Sequence, residues 1–359
     1  MVLDFAKQAI ENTSSHSINF DELRAGKANI KVIGVGGCGG NGVTWLFNKG
    51  INGATIYGMN TDALHLSVTK ADEKLLIGKE LTRGLGAGGK PKVGREAARE
   101  ALADIKKAVG NADMVFVLAG MGGGTGTGAA PVIAQMAKET GAVVIGVVTM
   151  PFESEKARID KAEFGLQELR EVTDTTIVLD NNRLVDIAGQ LPLEQAFAVA
   201  NELVSTMVKG IVETITLPSL INLDYADVST IMKNGGVAVI GIGESDTQER
   251  VSEAVKQALT HPLLDVDYKG ASGALIHVTC GPDLKLEEFD VIGRAVSENL
   301  SSDAQVIIGA RISKDFVGKV RVITIMTGVK SPYVLGGDIE ENSSPAEREM
   351  SDLGIEVWK

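Results

Sequence analysis

The chain has few cysteines, few aromatic residues and fewer basic than acidic side chains. Its two cysteines, Cys38 and Cys280, are far apart and have no companion ligands, so neither a disulfide framework nor a zinc site is indicated. Aromatic residues make up 4% and hydrophobic residues 44%, which predicts substantial, aliphatic cores. The 47 Asp and Glu against 35 Lys and Arg give a formal net charge of −12, which argues against nucleic acid as a partner.

Long hydrophobic runs are also missing. No apolar run reaches the roughly 18 residues that a membrane span requires, and residues 1–7 lack the apolar core of a signal peptide. We therefore expect a cytoplasmic protein that does not itself insert into a membrane. The length of 359 residues predicts two domains, at roughly 100–200 residues each.

Strand and helix patterns alternate through the first half of the chain. Such alternation predicts an α/β fold with a mostly parallel, Rossmann-like sheet and helices on both faces. Strand patterns lie at 29–35, 54–59, 114–119, 142–150 and 175–179, and helical patterns at 92–109 and 131–140. A long helical pattern follows at 192–215, and its broad apolar stripe predicts burial between two packed bodies.

A second, smaller α/β unit begins near residue 220. It has strand patterns at 237–242, 273–280, 304–310 and 320–326, and helical patterns at 247–260 and 286–300. We predict an N-terminal extension (1–28), a first domain (29–191), a central helix (192–219), a second domain (220–331) and a tail (332–359). Seven acidic and two basic residues between 338 and 359 predict that the tail is disordered. Its apolar end, 353–358, either docks back on the body or binds a groove of a partner.

One segment, which we call the signature segment (residues 122–128), consists only of glycine and threonine. Its members are Gly122, Gly123, Gly124, Thr125, Gly126, Thr127 and Gly128. It lies between a strand pattern and a helical pattern, so its backbone N–H groups can approach phosphate oxygens, and the helix dipole favours negative charge there. The hydroxyls of Thr125 and Thr127 add two donors. The segment predicts a phosphate seat rather than a flexible linker.

A first glycine segment (residues 34–41) follows the earliest strand pattern. Gly34, Gly36 and Gly39 satisfy the G-x-G-x-x-G pattern of dinucleotide binding, and Asp62 follows the next strand, near where a ribose-binding acid would stand. An NAD-dependent dehydrogenase is therefore an alternative. It leaves the signature segment unexplained, and the isolated His277 in an apolar strand is more typical of a core histidine than of a catalytic one.

A second glycine segment (residues 84–91) nearly spells the P-loop. Pro91 stands where that motif places the magnesium-binding hydroxyl, and a polar stretch rather than a strand precedes the segment. A Walker-type NTPase is therefore disfavoured. Three glycine-rich segments at one sheet edge predict a triphosphate held mainly by backbone N–H groups, with a Mg²⁺ ion helping to neutralise it.

With these segments in this order, the chain resembles the FtsZ branch of the tubulin family, the tubulin-like GTPases of prokaryotic cell division. The signature segment matches the family signature, and residues 60–63 and 84–88 match neighbouring family loops. The similarity runs from about residue 30 to 328 and is closer to archaeal than to bacterial members. It implies a GTP-binding domain over 29–191, a central core helix, and a second domain that supports activation and polymerisation.

The resemblance also implies which residues contact GTP or GDP. Beside the signature segment they are Gly36, Gly37, Cys38, Asn41 and Asn60 near the phosphates, Ala87, Gly88 and Gly89 at the γ-phosphate, Pro151, Glu155 and Arg158 at the ribose, and Asn181, Phe197 and Asn201 at the guanine base. The ribose loop is one residue shorter than the family's Glu-Gly-Lys-x-Arg pattern. Phe197 alone would more often be a core residue. Cys38 is by default a small filler, although a thiol at a helix N-terminus can have a lowered pKa.

Two carboxylates, Asp224 and Asp227, follow the long helical pattern. From spacing alone they could cap the next helix. The resemblance implies instead that they and Asn222 form a catalytic loop that enters the nucleotide site of the adjacent subunit, so that subunits stack head to tail into filaments. It further implies a role at the mid-cell division site, with a membrane-linked adaptor such as a SepF-like protein bound through the tail. A paralogue that controls cell shape is the alternative within the family.

Overall fold

The computed structural model describes residues 28–217, 219–221, 223–233, 235–260, 271–298 and 300–329, and the statements below concern these residues. The strands are β1 (Ile30–Val35), β2 (Ala54–Asn60), β3 (Glu73–Leu76), β4 (Met114–Gly120), β5 (Val143–Met150), β6 (Thr175–Asp180), β7 (Gly236–Ser245), β8 (Gly273–Cys280), β9 (Gln305–Ile312) and β10 (Val320–Thr327). The predicted tail, the N-terminal extension up to residue 27, and Asn222 lie outside the described residues.

The helices alternate with the strands in the first half, as the sequence predicts. They are α1 (Gly36–Lys49), α2 (Ala63–Val68), α3 (Lys79–Thr82), α4 (Pro91–Glu100), α5 (Leu102–Val109), α6 (Thr125–Glu139), α7 (Ala157–Val172), α8 (Asn181–Ala188), α9 (Leu193–Thr216), α10 (Tyr225–Met232), α11 (Arg250–Leu259) and α12 (Leu286–Ser297). In the described ranges no helix combines the length and apolar character needed to span a bilayer.

The strands form one sheet in the order β3-β2-β1-β4-β5-β6-β7-β10-β8-β9. Strands β1 to β6 are parallel, and Val35 at the end of β1 is level with both Met59 and Ala119. The carboxyl ends of the central strands therefore meet at one edge, which we call the upper edge. This confirms the predicted α/β class with a Rossmann-like parallel sheet.

Side chains of β1 alternate between two cores, one on each face of the sheet. Val32 packs with Val43 and Leu46 of α1, while Ile33 packs with Ile133 and other residues of α6. Both faces are aliphatic, in line with the low aromatic content. The resulting three layers hold the upper ends of β1 and β4 fixed against the starts of α1 and α6.

The second half continues the same sheet. β7 pairs in parallel with β6 through three residue pairs, and β10 is antiparallel to both β7 and β8. The central helix α9 covers the sheet where the two halves join, with Val208 and Ile211 buried. The predicted burial along the whole helix is wrong for its first turns, since Leu193 is 71% exposed and Phe197 38% exposed. These turns extend beyond the packed layer, towards the upper edge.

Several predicted elements differ from those observed. The helix expected over 92–109 is interrupted at Ala101, which has φ −97° and ψ 15° and separates α4 from α5. The helix expected from residue 131 begins at Thr125, so Pro131 lies inside α6. The short edge strand β3 was not predicted, because its sequence Glu-Lys-Leu-Leu has no strand periodicity.

Candidate nucleotide and catalytic sites

The three glycine segments meet at the upper edge. A Cβ atom placed on Gly36 would lie 3.0 Å from the amide nitrogen of Gly126. A Cβ on Gly124 would lie 2.8 Å from the Cβ of Ala87 and 2.9 Å from the amide nitrogen of Lys90. Only glycine allows these close approaches, so the residue type that exposes the backbone also brings the segments together.

Two of the glycine segments contain the first turns of helices. α1 begins at Gly36, whose φ of +71° turns the chain directly out of β1, and α6 begins at Thr125 within the signature segment. Neither N-cap residue, Val35 or Gly124, makes a side-chain cap hydrogen bond, and neither first turn contains an acidic residue. Two uncapped helix N-termini at one point form a stronger anion seat than loops would.

The two threonines of the signature segment have different surroundings. The Oγ1 atom of Thr125 lies 2.7 Å from the Oγ1 of Thr61, at the end of β2. Thr127 is 1% exposed, its methyl group packs at Gly165 of α7, and its hydroxyl has no hydrogen-bond partner among the described residues. The expectation that both hydroxyls stand at the seat therefore needs correction for Thr127, whose place there depends on its backbone.

The second glycine segment forms a flap over the seat. Gly84, Gly86, Gly88 and Gly89 all have positive φ, between 59° and 84°. A Cβ atom placed on Gly88 or Gly89 would meet no atom of the described residues within 4 Å, apart from their chain neighbours. Pro91 is the first residue of α4, and the short helix α3 rather than a strand precedes the segment, so the structure has no P-loop geometry here.

The acid that supported the dehydrogenase alternative has a local structural role. Asp62 is the N-cap of α2, and its Oδ1 accepts a hydrogen bond from the backbone N–H of His65 at 2.9 Å. Its amide in turn donates to the Oδ1 of Asn60 at 3.2 Å. Asp62 therefore caps α2. Because an aspartate at this spacing suits either a helix N-cap or a ribose contact, the sequence alone could not distinguish the two roles.

The predicted ribose side lies between β5 and α7. Glu155 and Arg158 form an ion pair with each other, and a Cβ on Gly122 would lie 2.8 Å from the carbonyl oxygen of Arg158, so the pair adjoins the signature segment. Lys156 between them has φ +32° and ψ −88°, a conformation that favours glycine. The shortened loop thus keeps a glycine-like backbone at the position after Glu155, but with a lysine.

The predicted base side is formed by α8 and α9. Asn181 is the first residue of α8, and Phe197 precedes Asn201 by one turn on α9. Both amide side chains are half-buried, and neither makes a hydrogen bond within the described part of the chain. The ring of Phe197 meets that of Phe152 edge to face at 6.1 Å between centroids. Plain core packing of Phe197 is therefore not what the structure has.

Cys38 lies in the first turn of α1, with Gly37 and Asn41 exposed nearby. Its Sγ lies 3.3 Å from the Oγ1 of Thr149, and the protein surrounding the sulfur raises the pKa of the Cys38 thiol above its usual range, although the residue retains surface exposure. This direction is opposite to the lowering that a helix N-terminus can cause. A small filler is the better interpretation of this residue.

The two candidate catalytic acids lie at the opposite, lower edge. Asp224 is the exposed N-cap of α10 and makes no side-chain cap hydrogen bond, and Asp227 is half-buried in the first turn. The hydroxyl of Tyr225 donates to the carbonyl of Asp113, just before β4 begins. Because β4 has seven residues, roughly 3.3 Å each, about 20 Å separates these acids from the signature segment.

Side chains that could hold a metal are not clustered. Among the described residues, no group of three or more His, Cys, Asp or Glu is arranged to bind an ion. His277 is 5% exposed, and its Nδ1 has no partner in the described ranges. Lys161, whose ammonium donates to the carbonyl of Gly89 at 3.0 Å, was not predicted from the sequence. This hydrogen bond joins residues 72 positions apart, so no local sequence pattern predicts it.

Comparison with known proteins agrees with this geometry. Residues 29–189 match the GTPase domain of the Tubulin/FtsZ family, and residues 236–330 match the C-terminal domain of the FtsZ family. The chain is 50% identical over 356 residues to "Cell division protein FtsZ 2" of Halobacterium salinarum, covering 98% of this chain and 90% of that protein. It is 52% identical over 311 residues to "Cell division protein FtsZ 1" of Archaeoglobus fulgidus, covering 86% and 84%.

Solved structures give the same result. An FtsZ dimer of M. jannaschii superposes with a TM-score of 0.81 at 51% identity, covering 86% of this chain and 90% of that one. CetZ1 from Haloferax volcanii superposes with a TM-score of 0.75 at 22% identity, covering 85% and 96%, which shows a shared fold alone. The FtsZ relatives are thus far more similar in sequence than the CetZ proteins. The chain belongs to the tubulin/FtsZ family of GTPases and, within it, to FtsZ.

Proposed function

We propose that this protein binds GTP at the upper edge and hydrolyses it in head-to-tail filaments that act in cell division. One observation carries the proposal: the anion seat and the candidate acids lie at opposite edges of one sheet, about 20 Å apart along β4. A single subunit cannot bring them together. A second copy stacked below the first can, and a repeated contact of this kind gives an open filament.

Nucleotide recognition would divide among the three sides of the site. The first turns of α1 and α6 would hold the phosphates through backbone N–H groups, and Gly88 and Gly89 would close over the γ-phosphate. Glu155 and Arg158 would contact the ribose. Asn181 and Asn201 would read the guanine edge, since an amide offers both a donor and an acceptor, with Phe197 against the base.

The chemistry would depend on positioning. Asp224 and Asp227, brought by the neighbouring subunit, would orient the attacking water and accept its hydrogen bonds, and Asn222 would shape the same loop. A bound Mg²⁺ would neutralise charge on the phosphate chain. Activity would then rise with assembly, because each site is complete only at a subunit contact.

The two edges are also compatible as surfaces. Exposed apolar side chains lie on α2 and in the second glycine segment, where Leu64, Val68 and Leu85 are 79%, 69% and 85% exposed. At the lower edge Leu220 and Ile221 are 72% and 40% exposed, directly before the acids. Burying such side chains against each other would stabilise a stack, and the dimer named among the solved FtsZ structures supports self-association.

We assign the role to division because relatives about 50% identical over nearly the whole chain are named cell division proteins. A division role places the protein in the cytoplasm at mid-cell. Membrane attachment would then need an adaptor, such as a SepF-like protein bound to residues 353–358. Deleting 353–358 should abolish adaptor binding and leave assembly intact; unchanged binding would remove this part of the proposal.

A mixing experiment tests the shared site. Asp227→Ala keeps the seat and loses an acid, whereas Gly123→Asp keeps the acids and places a negative charge in the seat, at a residue with open space around it. Each variant alone should hydrolyse little GTP. In an equal mixture about a quarter of the contacts pair an intact seat with intact acids, so part of the activity should return.

Controls separate this outcome from simple misfolding. Asp227→Ala should bind GTP as tightly as the wild type, and Asp104→Ala, which removes an exposed acid of α5, should leave turnover unchanged. Light scattering with GTP, GDP and NAD would report assembly in parallel. Full turnover by dilute monomers, or a mixture no more active than its parts, would refute the shared site.

A further inference from the structure

Helix α7 runs alongside the signature segment. A Cβ on Gly122 would lie 2.9 Å from the Cβ of Arg158, and a Cβ on Gly165 would lie 2.3 Å from the methyl of Thr127. Residue 161 is three positions after Arg158 and four before Gly165, so it lies on the same side of α7. Lys161 thus lies beside the signature segment, between the contact of Arg158 with Gly122 and the contact of Gly165 with Thr127.

Lys161 reaches the flap at the point where the flap meets the seat. Its ammonium donates a hydrogen bond to the carbonyl of Gly89 at 3.0 Å. The amide nitrogen of Gly89 lies 3.2 Å from a Cβ placed on Gly124, the N-cap of α6. The ammonium therefore lies at the rim of the seat, beside Gly88 and Gly89 of the flap.

The charge of Lys161 is available to a ligand. In contrast to Arg158, which pairs with Glu155, Lys161 makes no ion pair with a carboxylate in the part of the chain that the structure describes. An ammonium has three donors, and the bond to Gly89 uses one of them. The terminal phosphate of GTP adds a negatively charged group that GDP lacks at that place, so a free cation at the flap favours GTP over GDP.

From this geometry we infer that Lys161 is a specificity-determining residue that recognises the γ-phosphate and distinguishes GTP from GDP. The inference depends on the proposed function, because it takes the γ-phosphate to lie under the flap. With GDP bound, the ammonium stays on the carbonyl of Gly89. With GTP bound, its remaining donors reach the terminal phosphate while the flap is held closed from the side of α7.

Nucleotide affinities of Lys161 variants test the inference. Lys161→Met should weaken GTP binding about tenfold, the value of one exposed charge-assisted hydrogen bond, and change GDP binding less than about twofold. Lys161→Arg, which keeps the charge, should retain most of the preference. Lys106→Met, at an exposed site on α5 far from the seat, is the matched control and should change neither affinity.

The measurement is displacement of a fluorescent GDP analogue by GTP or GDP, at protein concentrations too low for assembly. The GTP preference of the wild type should also fall with added salt more steeply than that of Lys161→Met, since screening acts on the charge. If Lys161→Met lost affinity equally for GTP and GDP, Lys161 would have only a structural role. An unchanged ratio of GTP to GDP affinity would overturn the inference, and so would a loss of that ratio in Lys90→Met instead of Lys161→Met. A wild type that binds neither nucleotide would refute the proposed function itself.

Discussion

The hydroxyl of Tyr225 donates a hydrogen bond of 2.7 Å to the carbonyl oxygen of Asp113. The bond joins the first residue of α10 to the loop that enters β4, and only Met121 separates the end of β4 from the signature segment. The same carbonyl accepts the amide of Val143, and the Asp113 carboxylate accepts the amide of Asn29. Tyr225 therefore fixes the two flanking acids relative to the sheet whose other end holds the phosphate seat.

Tyr225→Phe removes this hydrogen bond and keeps the ring. We expect the free energy of unfolding to fall by about 1 kcal/mol, the typical net value of one hydrogen bond, because the Asp113 carbonyl keeps its bond from Val143. GTP affinity should not change, since the seat is at the other edge, whereas turnover per assembled subunit should fall several-fold. Denaturant titration, nucleotide binding and a phosphate-release assay measure the three. A parallel loss of affinity and turnover would contradict a role confined to the acids.

Gly128 and Gly123 belong to one segment but should respond differently to a methyl group. A Cβ on Gly128 would lie 1.9 Å from the carbonyl oxygen of Pro91, which is backbone of α4 and cannot give way. Gly128→Ala should therefore lower the melting temperature by many degrees. A Cβ on Gly123 would meet no atom of the described residues within 4 Å apart from its chain neighbours, so Gly123→Ala should leave the melting temperature unchanged and weaken nucleotide binding about tenfold. Two variants with equal melting temperatures would contradict the assigned contacts.

Much of this site could be predicted from local sequence, because glycine-rich segments after apolar strands place backbone N–H groups at one sheet edge. What could not be predicted depends on tertiary contacts. The close approach of Gly128 in α6 to Pro91, and of the Thr127 methyl group to Gly165 of α7, join residues that are far apart along the chain. The exposed first turns of α9 carry the same apolar stripe as its buried turns, so periodicity cannot separate them.

His277 gives a prediction about pH. Burial, with the nearby Arg311 guanidinium as a lesser cause, lowers the pKa of His277 to about 4 from its ordinary 6.5. In the unfolded chain His277 is protonated below about pH 6.5, whereas in the folded chain it stays neutral down to about pH 4. Protonation therefore favours unfolding between these values. Lowering the pH from 7.5 to 5 therefore lowers the free energy of unfolding by about 2 kcal/mol, at about 1.4 kcal/mol per pH unit.

The control for that prediction is His277→Leu, which removes the titrating group and the unpartnered Nδ1. Other groups titrate in the same range, so the difference between the two proteins carries the information. We expect the free energy of unfolding of the variant, measured by denaturant titration at several pH values, to gain on the wild type as the pH falls from 7.5 to 5. Parallel curves would show that His277 does not contribute.

Lys156 is strained where a glycine would not be, since its φ of +32° with ψ of −88° lies outside the regions that side chains readily adopt. Such a backbone conformation costs on the order of 1–3 kcal/mol of stability, which replacement by glycine removes. The glycine itself lowers stability by about 1 kcal/mol, because the unfolded chain becomes more flexible. Lys156→Gly should thus be neutral or stabilising.

Ser154→Gly, two residues away in the 3₁₀ turn Glu153–Glu155, should destabilise by about 0.5–1 kcal/mol, because no strain is relieved there. Melting temperatures of the two variants, taken with and without GDP, compare them directly. If Lys156→Gly melted below Ser154→Gly in both conditions, the strain would have to be compensated by contacts of the lysine side chain.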